Sequence, residues 1–189
     1  NADLKVWLDE IVREATVPFE LRGVTLEMVC AERYAVTAAN LHWLGQAVWH
    51  LLSNALRACS PGGRVTVTLA VQRPHVLLKV ADNGCGIPAD RQDMLFDWFM
   101  RPLTPKYLTG GLGVGLPVTY QVARLHGGQL LLNSREGEGT TATLVLPLRR
   151  TDSSVSDNTF QYTGGFQRVL LELADALPGE AYLAKHLDE

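Results

Sequence analysis

The spacing of apolar residues along the chain sets out a run of helices and strands. Leu4, Trp7, Leu8, Ile11, Val12 and Ala15 recur at helical spacing and predict a helix over 4–16, broken by Pro18 and Gly23. Residues 24–30 read as a strand. Leu41, Leu44, Val48, Leu51, Leu52 and Ala55 form the buried stripe of a long amphipathic helix over 41–58, stopped by Ser60-Pro61-Gly62-Gly63. Val65, Val67, Leu69 and Val71 alternate and predict a strand over 64–72. Pro74 marks a turn into a second strand over 75–81, so the two form a hairpin.

Residues 89–96 read as a short helix. Residues 97–110 carry Pro102, Pro105 and Gly110 with little periodicity and read as a loop. A further helix is expected over 113–125, closed by His126-Gly127-Gly128. Strands over 129–134 and 140–148 follow, joined by the turn at 136–139. The fold class is α/β: a two-layer α/β sandwich whose mixed, mostly antiparallel sheet carries its helices on one face. Residues 151–158 (TDSSVSDN) read as a polar linker. Beyond it Phe166, Val169, Leu170, Leu173 and Leu177 make another apolar helical stripe. The expected division is a domain over 1–150 and a linker with a C-terminal helical extension over 151–189.

Composition narrows the possible partners. A net charge of −3 gives no electrostatic case for nucleic acid or an anionic membrane surface. The three cysteines, Cys30, Cys59 and Cys85, are far apart and lack a CxxC pairing, which argues against a disulfide framework or zinc site and for a reducing cytosol. No apolar run approaches the roughly 20 residues of a membrane span. The chain opens on Asn1 rather than Met, which reads as a piece of a longer protein.

Three blocks carry candidate chemistry: HLLSNALRA over 50–58, DNGCGIP over 82–88 and GLGVGLPV over 111–118. In the first, His50, Asn54 and Arg57 share one helix face. An amide oxygen at Asn54 is a hard neutral ligand suited to Mg²⁺, and Arg57 one turn on can reach a phosphate oxygen. Alone, the block is equally an exposed polar face. In the second, Asp82 ends a strand, and Gly84 and Gly86 permit a close-approach turn. A buried carboxylate there accepts a hydrogen bond from the exocyclic amine of adenine, and would meet a repelling carbonyl on guanine. Alone, it is equally an ordinary turn. In the third, Gly111, Gly113 and Gly115 open a helix whose N–H groups suit phosphate. It follows a loop rather than a strand and lacks a Lys-Ser/Thr ending, so it is neither a Rossmann nor a Walker loop. Together the blocks point to a purine nucleotide with Mg²⁺.

Their order resembles the catalytic ATP-binding domain of bacterial sensor histidine kinases: an N block, DxGxG, Phe96-Asp97-Trp98-Phe99, GxGxG, HGG and a final Leu146-Pro147-Leu148. That domain has the Bergerat ATP-binding fold, in the superfamily shared with DNA gyrase, Hsp90 and MutL. The resemblance covers residues 1–150. It implies ATP and Mg²⁺ as ligands, with His50 and Asn54 catalytic and Asn54 on the metal. Asp82 would hold the adenine amine, and Gly84, Gly86 and Ile87 would shape its pocket. Arg57, Gly111, Leu112, Gly113, Val114, Gly115 and Leu116 would line the phosphates. Phe99 and Thr141 are further nucleotide-site positions. Residues 97–110 match the family's ATP lid. Within it Arg101 and Lys106 are candidates for the γ-phosphate or are solvated loop charges, and Tyr107 covers the nucleotide or packs.

Position 50 departs from the family. Most of these kinases have Asn there and the ATP-hydrolysing relatives Glu; His resembles the chemotaxis kinase. It either sits as a polar residue at the pocket edge or helps accept a proton. Pro117 falls in the tolerated first turn of its helix.

A kinase of this type needs a phosphoacceptor histidine, which in the family is usually followed by Glu or Asp. His42, His50, His75, His126 and His186 are followed by Trp, Leu, Val, Gly and Leu, so none fits. His126 matches the family's HGG turn and is expected to be structural. The resemblance therefore implies a phosphoacceptor histidine helix pair upstream in the parent chain, a response regulator as partner, and a parent homodimer. It places the chain in the cytoplasm, alone or as the cytoplasmic portion of a membrane-bound sensor. The other readings are an ATP hydrolase, which would want a carboxylate at position 50, a protein-serine kinase of the anti-sigma type, and a non-catalytic nucleotide-binding module.

Overall fold

The computed structural model describes residues 1–33, 35–100 and 115–149, except the side chains of residues 93 and 96–100. The linker 151–158 and the stripe 166–177 lie outside the described residues.

Helix α1 (Leu4–Leu21) is capped by Asp3, whose side chain accepts from the Lys5 N–H at 3.0 Å. The helix runs past the expected break at Pro18. Proline removes one helical N–H, but Pro18 lies in the last turn and is buried beside Phe19, so burial offsets the missing bond. The helix stops at Gly23 instead. Gly23 has φ +65°, its N–H donates to Glu20 O at 2.8 Å, and the Val24 N–H donates to Phe19 O at 2.9 Å. This bond pair with a left-handed glycine is a Schellman ending.

Strands β2 (Thr25–Cys30), β4 (Arg64–Gln72), β5 (His75–Asp82), β6 (Gln129–Arg135) and β7 (Gly139–Pro147) form one sheet in the order β2-β4-β5-β7-β6. Only the β2–β4 pair is parallel. Alternation along the strands buries Val65, Val67, Leu69, Val76, Leu78, Val80, Ala142, Leu144 and Leu146 on the face that meets the helices. A separate two-stranded ribbon of β1 (Ala2–Asp3) and β3 (Val36–Thr37) was not legible from periodicity. Strands of two residues carry no repeat to read.

Helix α2 (Leu41–Ala58) buries its predicted stripe and is capped by Asn40, whose side chain accepts from the His42 and Trp43 N–H groups at 3.1 and 3.3 Å. Helix α3 (Ala89–Met100) runs four residues past the expected end at 96, so 97–99 of the aromatic block belong to a helix rather than to a loop. Helix α4 (Gly115–Leu125) holds the buried Pro117, and its expected first residues, 113 and 114, lie outside the described residues.

Helices α2 and α4 lie antiparallel. Thr119 Oγ1 donates to Gly115 O at 2.7 Å and to Ala47 O at 3.4 Å. At the other end His126 bridges the pair: Nδ1 is 2.8 Å from Val122 O, and Nε2 accepts from the Asn40 N–H at 3.0 Å. One tautomer, protonated on Nδ1, satisfies both bonds. No helix among the described residues is long and apolar enough to cross a membrane.

Candidate functional site

Asp82 is the last residue of β5. Val80, two positions earlier, is buried under the helices, so Asp82 lies on the helix face. Its Oδ1 accepts from the Gly84 N–H at 2.9 Å and from the Thr140 N–H at 3.2 Å. Burial pushes the Asp82 carboxyl above the usual carboxylate range, and those two N–H bonds partly oppose the shift. The carboxylate is therefore held in one orientation at a desolvated position. Burial, then the nearby Asp82 charge, also pushes the Cys59 thiol up.

The two glycines after Asp82 are points of contact. A β-carbon on Gly84 would overlap the Ala58 carbonyl oxygen at the end of α2. One on Gly86, which has φ +65°, would overlap the Arg135 carbonyl oxygen at the end of β6. Between them, the Cys85 N–H donates to Ala58 O at 3.0 Å, and Cys85 O accepts from the Gly137 N–H at 2.8 Å. The loop is thus clamped between α2 and the β6–β7 turn. Ile87 is tied by its N–H to Ser134 Oγ at 2.9 Å and by its carbonyl to Gln92 Nε2 at 2.6 Å.

Along α2, His50 and Asn54 are half-buried and Arg57 is exposed, on the one stripe the core does not cover. Gly115, the third glycine of the GxGxG block, meets this stripe directly. A β-carbon there would lie 3.1 Å from His50 Cβ and 3.2 Å from its Cγ and Nδ1. Leu116 packs partly buried against the core. The structure thus sets Gly115 beside His50 on α2, and holds the Asp82–Ile87 loop between the end of α2 and the β6–β7 turn, with Asn54 and Arg57 further along the His50 stripe.

Thr141 is not part of that group. In the register Thr140 stands opposite Asp82, and Thr141 stands opposite Ala81. Side chains alternate, so Thr141 falls on the face away from the helices, and the neighbour of Asp82 is Thr140. Its hydroxyl is 2.8 Å from Ser134 Oγ, which also donates to Gly139 O at 3.1 Å. A Thr-Thr pair follows Gly139, and the strand register sets the first of the two opposite Asp82. Ser134 and Gln92, which hold the Ile87 backbone, carried no signal in the sequence. Arg101, Lys106, Tyr107, Gly111, Leu112, Gly113 and Val114 lie outside the described residues, as does the Phe99 side chain.

Among the described residues no group of three or more His, Cys, Asp or Glu side chains could hold a metal ion. A Mg²⁺ at Asn54 would need oxygens from a bound nucleotide, which matches a lone neutral amide donor on the open stripe.

A carboxylate fixed by two backbone N–H groups, on a loop clamped between α2 and the β6–β7 turn, thus lies at the end of the central strand of a two-layer sandwich. The family model for histidine kinase-, DNA gyrase B- and HSP90-like ATPases matches residues 39–150, and the chain belongs to that family. The chain is 38% identical over 128 residues to the sensor protein DivL of Caulobacter vibrioides, covering 68% of this chain and 16% of that protein. It is 32% identical over 129 residues to the alginate biosynthesis sensor protein KinB of Pseudomonas aeruginosa, covering 68% of this chain and 21% of that protein. The matches thus span about a fifth or less of these relatives. Among solved structures, the mycobacterial sensor histidine kinase MprB superposes with a TM-score of 0.61 at 28% identity, covering 79% of this chain and 97% of that one. Full-length ShkA in complex with AMPPNP superposes with a TM-score of 0.67 at 20% identity, covering 80% of this chain and 31% of that one, which bears on the fold alone.

Proposed function

We propose that this chain is the ATP-binding catalytic domain of a sensor histidine kinase, and that it transfers the γ-phosphoryl group of ATP to a histidine on a separate helical domain of its parent. The observation that carries this reading is the Asp82 carboxylate, fixed by the Gly84 and Thr140 N–H groups at the start of a loop packed against the end of α2. Adenine enters beside Asp82, which accepts from its exocyclic amine. The phosphates run along the α2 stripe toward Gly115 and the N-terminus of α4, where backbone N–H groups and the helix dipole favour anions. Asn54 would hold Mg²⁺, which neutralises phosphate charge when bound. Arg57 adds an exposed cation in the last turn of α2.

In the transfer a nitrogen–phosphorus bond forms to the acceptor imidazole. The bond from Pγ to the bridging oxygen breaks, its electron pair leaves on ADP, and the imidazole proton passes to solvent or a nearby base. His50, beside Gly115, is positioned to receive it. Catalysis is mainly orientation and charge stabilisation. The partners in this reading are an upstream phosphoacceptor helix pair and a response regulator, in a parent that is a homodimer with this domain in the cytoplasm.

The test is calorimetric titration of the chain with ATP, with and without Mg²⁺, and with GTP. Metal-dependent ATP binding with no GTP response is expected. Absence of ATP binding under both conditions would refute the reading.

A further inference from the structure

Among the described residues helix α2 carries one stripe that is exposed or half-buried, and it continues from Asn54 and His50 toward the helix N-terminus. Trp43, Gln46, His50, Asn54 and Arg57 follow each other at three- and four-residue steps, which places them on one helix face. The structure leaves these five exposed or half-buried, and every residue between Leu44 and Leu56 off that stripe is buried. The stripe has a direction. Its C-terminal end, at Ala58, meets the loop that holds Asp82. His50 meets Gly115. Trp43 lies seven residues further toward the N-terminus, about 10 Å along the axis at about 1.5 Å per residue.

Trp43 is 46% exposed, although the helix buries Trp49 to 2%. Its ring stands edge-on to His42, with centroids 5.4 Å apart at 73°. A large aromatic held open at a helix terminus is the kind of residue that dominates protein–protein contacts.

Phosphoryl transfer requires the incoming and leaving atoms to lie roughly in line through phosphorus. With the base at Asp82 and the phosphates running toward Gly115, the leaving group lies on the Asp82 side. The acceptor must then arrive from the opposite side, over Gln46 and Trp43.

We infer that Trp43, with His42 and Gln46 beside it, is the docking face for the phosphoacceptor helix. This rests on the kinase reading above. A helix lying there sets its imidazole at the phosphates and an apolar residue about two turns away on the Trp43 ring.

The test uses the full-length protein that carries this chain, incubated with radiolabelled ATP, with phosphohistidine formation followed at saturating nucleotide. Trp43→Ala is expected to slow the step about tenfold or more with KM for ATP unchanged, and Trp43→Phe to restore most of the rate. Val17→Ala, at an exposed position of α1, should leave the rate unchanged. A wild-type rate in Trp43→Ala overturns the docking face and leaves the kinase reading intact. A loss of ATP affinity in Trp43→Ala that matches its loss of rate also overturns it, because Trp43 would then act through the nucleotide site. A wild-type protein that binds ATP and forms no phosphohistidine overturns the kinase reading, and the docking face with it.

Discussion

Replacing Asp82 with asparagine separates binding from folding. The carboxylate is desolvated, and its Oδ1 is fixed by the Gly84 and Thr140 N–H groups. An amide oxygen can keep both contacts, so Asp82→Asn preserves the loop. What it removes is an ionised acceptor for the adenine amine. A hydrogen bond to a charged group contributes about 1.5–3 kcal/mol, which at about 1.4 kcal/mol per tenfold is roughly a 10- to 150-fold loss of ATP affinity. Stability should move the other way. Asp82 holds its proton to higher pH in the native state than the ordinary 3.8 of an unfolded carboxyl. Between those two values the native state binds more protons, so stability falls as pH rises through that window and is level above it. Asp82→Asn removes this slope, and its melting temperature at pH 7 should equal or exceed that of the wild type. Calorimetry with Mg²⁺-ATP and thermal melts from pH 3.5 to 8 check both halves. Wild-type ATP affinity in Asp82→Asn, or a clear fall in its melting temperature at pH 7, would refute the reasoning.

Gly84→Ala should cost about 1–3 kcal/mol in urea unfolding, since its β-carbon meets the backbone of Ala58 rather than a movable side chain; an unchanged unfolding midpoint would contradict the clamp. His126→Ala removes bonds to Asn40 and Val122 and should cost about 1–2 kcal/mol, at roughly 1 kcal/mol per bond. Its ATP affinity should stay within about twofold of wild type, because these bonds lie at the far end of α2. Asn54→Ala, at a half-buried position, should leave the melting temperature nearly unchanged and abolish the Mg²⁺ dependence of ATP binding; a retained metal dependence would remove Asn54 from the metal site.

The layers and most elements were legible because their signals are local. The α2 stripe, the β4–β5 alternation and the closing His126-Gly127-Gly128 turn are written within single elements. The errors arose where a local rule met a non-local one. Pro18 reads as a helix breaker, but core burial of Pro18 and Phe19 carries α1 to Leu21. The choice between Thr140 and Thr141 depends on the pairing of β7 with β5, strands separated by more than 50 residues of chain. The ties of Ile87 and Gln92 to Ser134 likewise join segments distant in sequence, and neither a serine nor a glutamine announces such a role.

The glycines illustrate how the site depends on the assembled fold. In the sequence they read as flexible turns or phosphate loops. In the structure Gly84 has no positive φ, so its requirement is space against α2, whereas Gly86 needs both a left-handed backbone and space against β6. Gly115 needs room beside His50. Gly84 and Gly115 mark places where α2 presses on a neighbouring segment, at its end and along its stripe, and Gly86 marks one where the end of β6 does. The shape of the loop after Asp82 is therefore set by how these elements pack. An exchange of the Asp82 carboxylate for an amide is therefore expected to have little structural consequence, whereas a single added methyl group at Gly84 should disturb the loop and the end of α2 together.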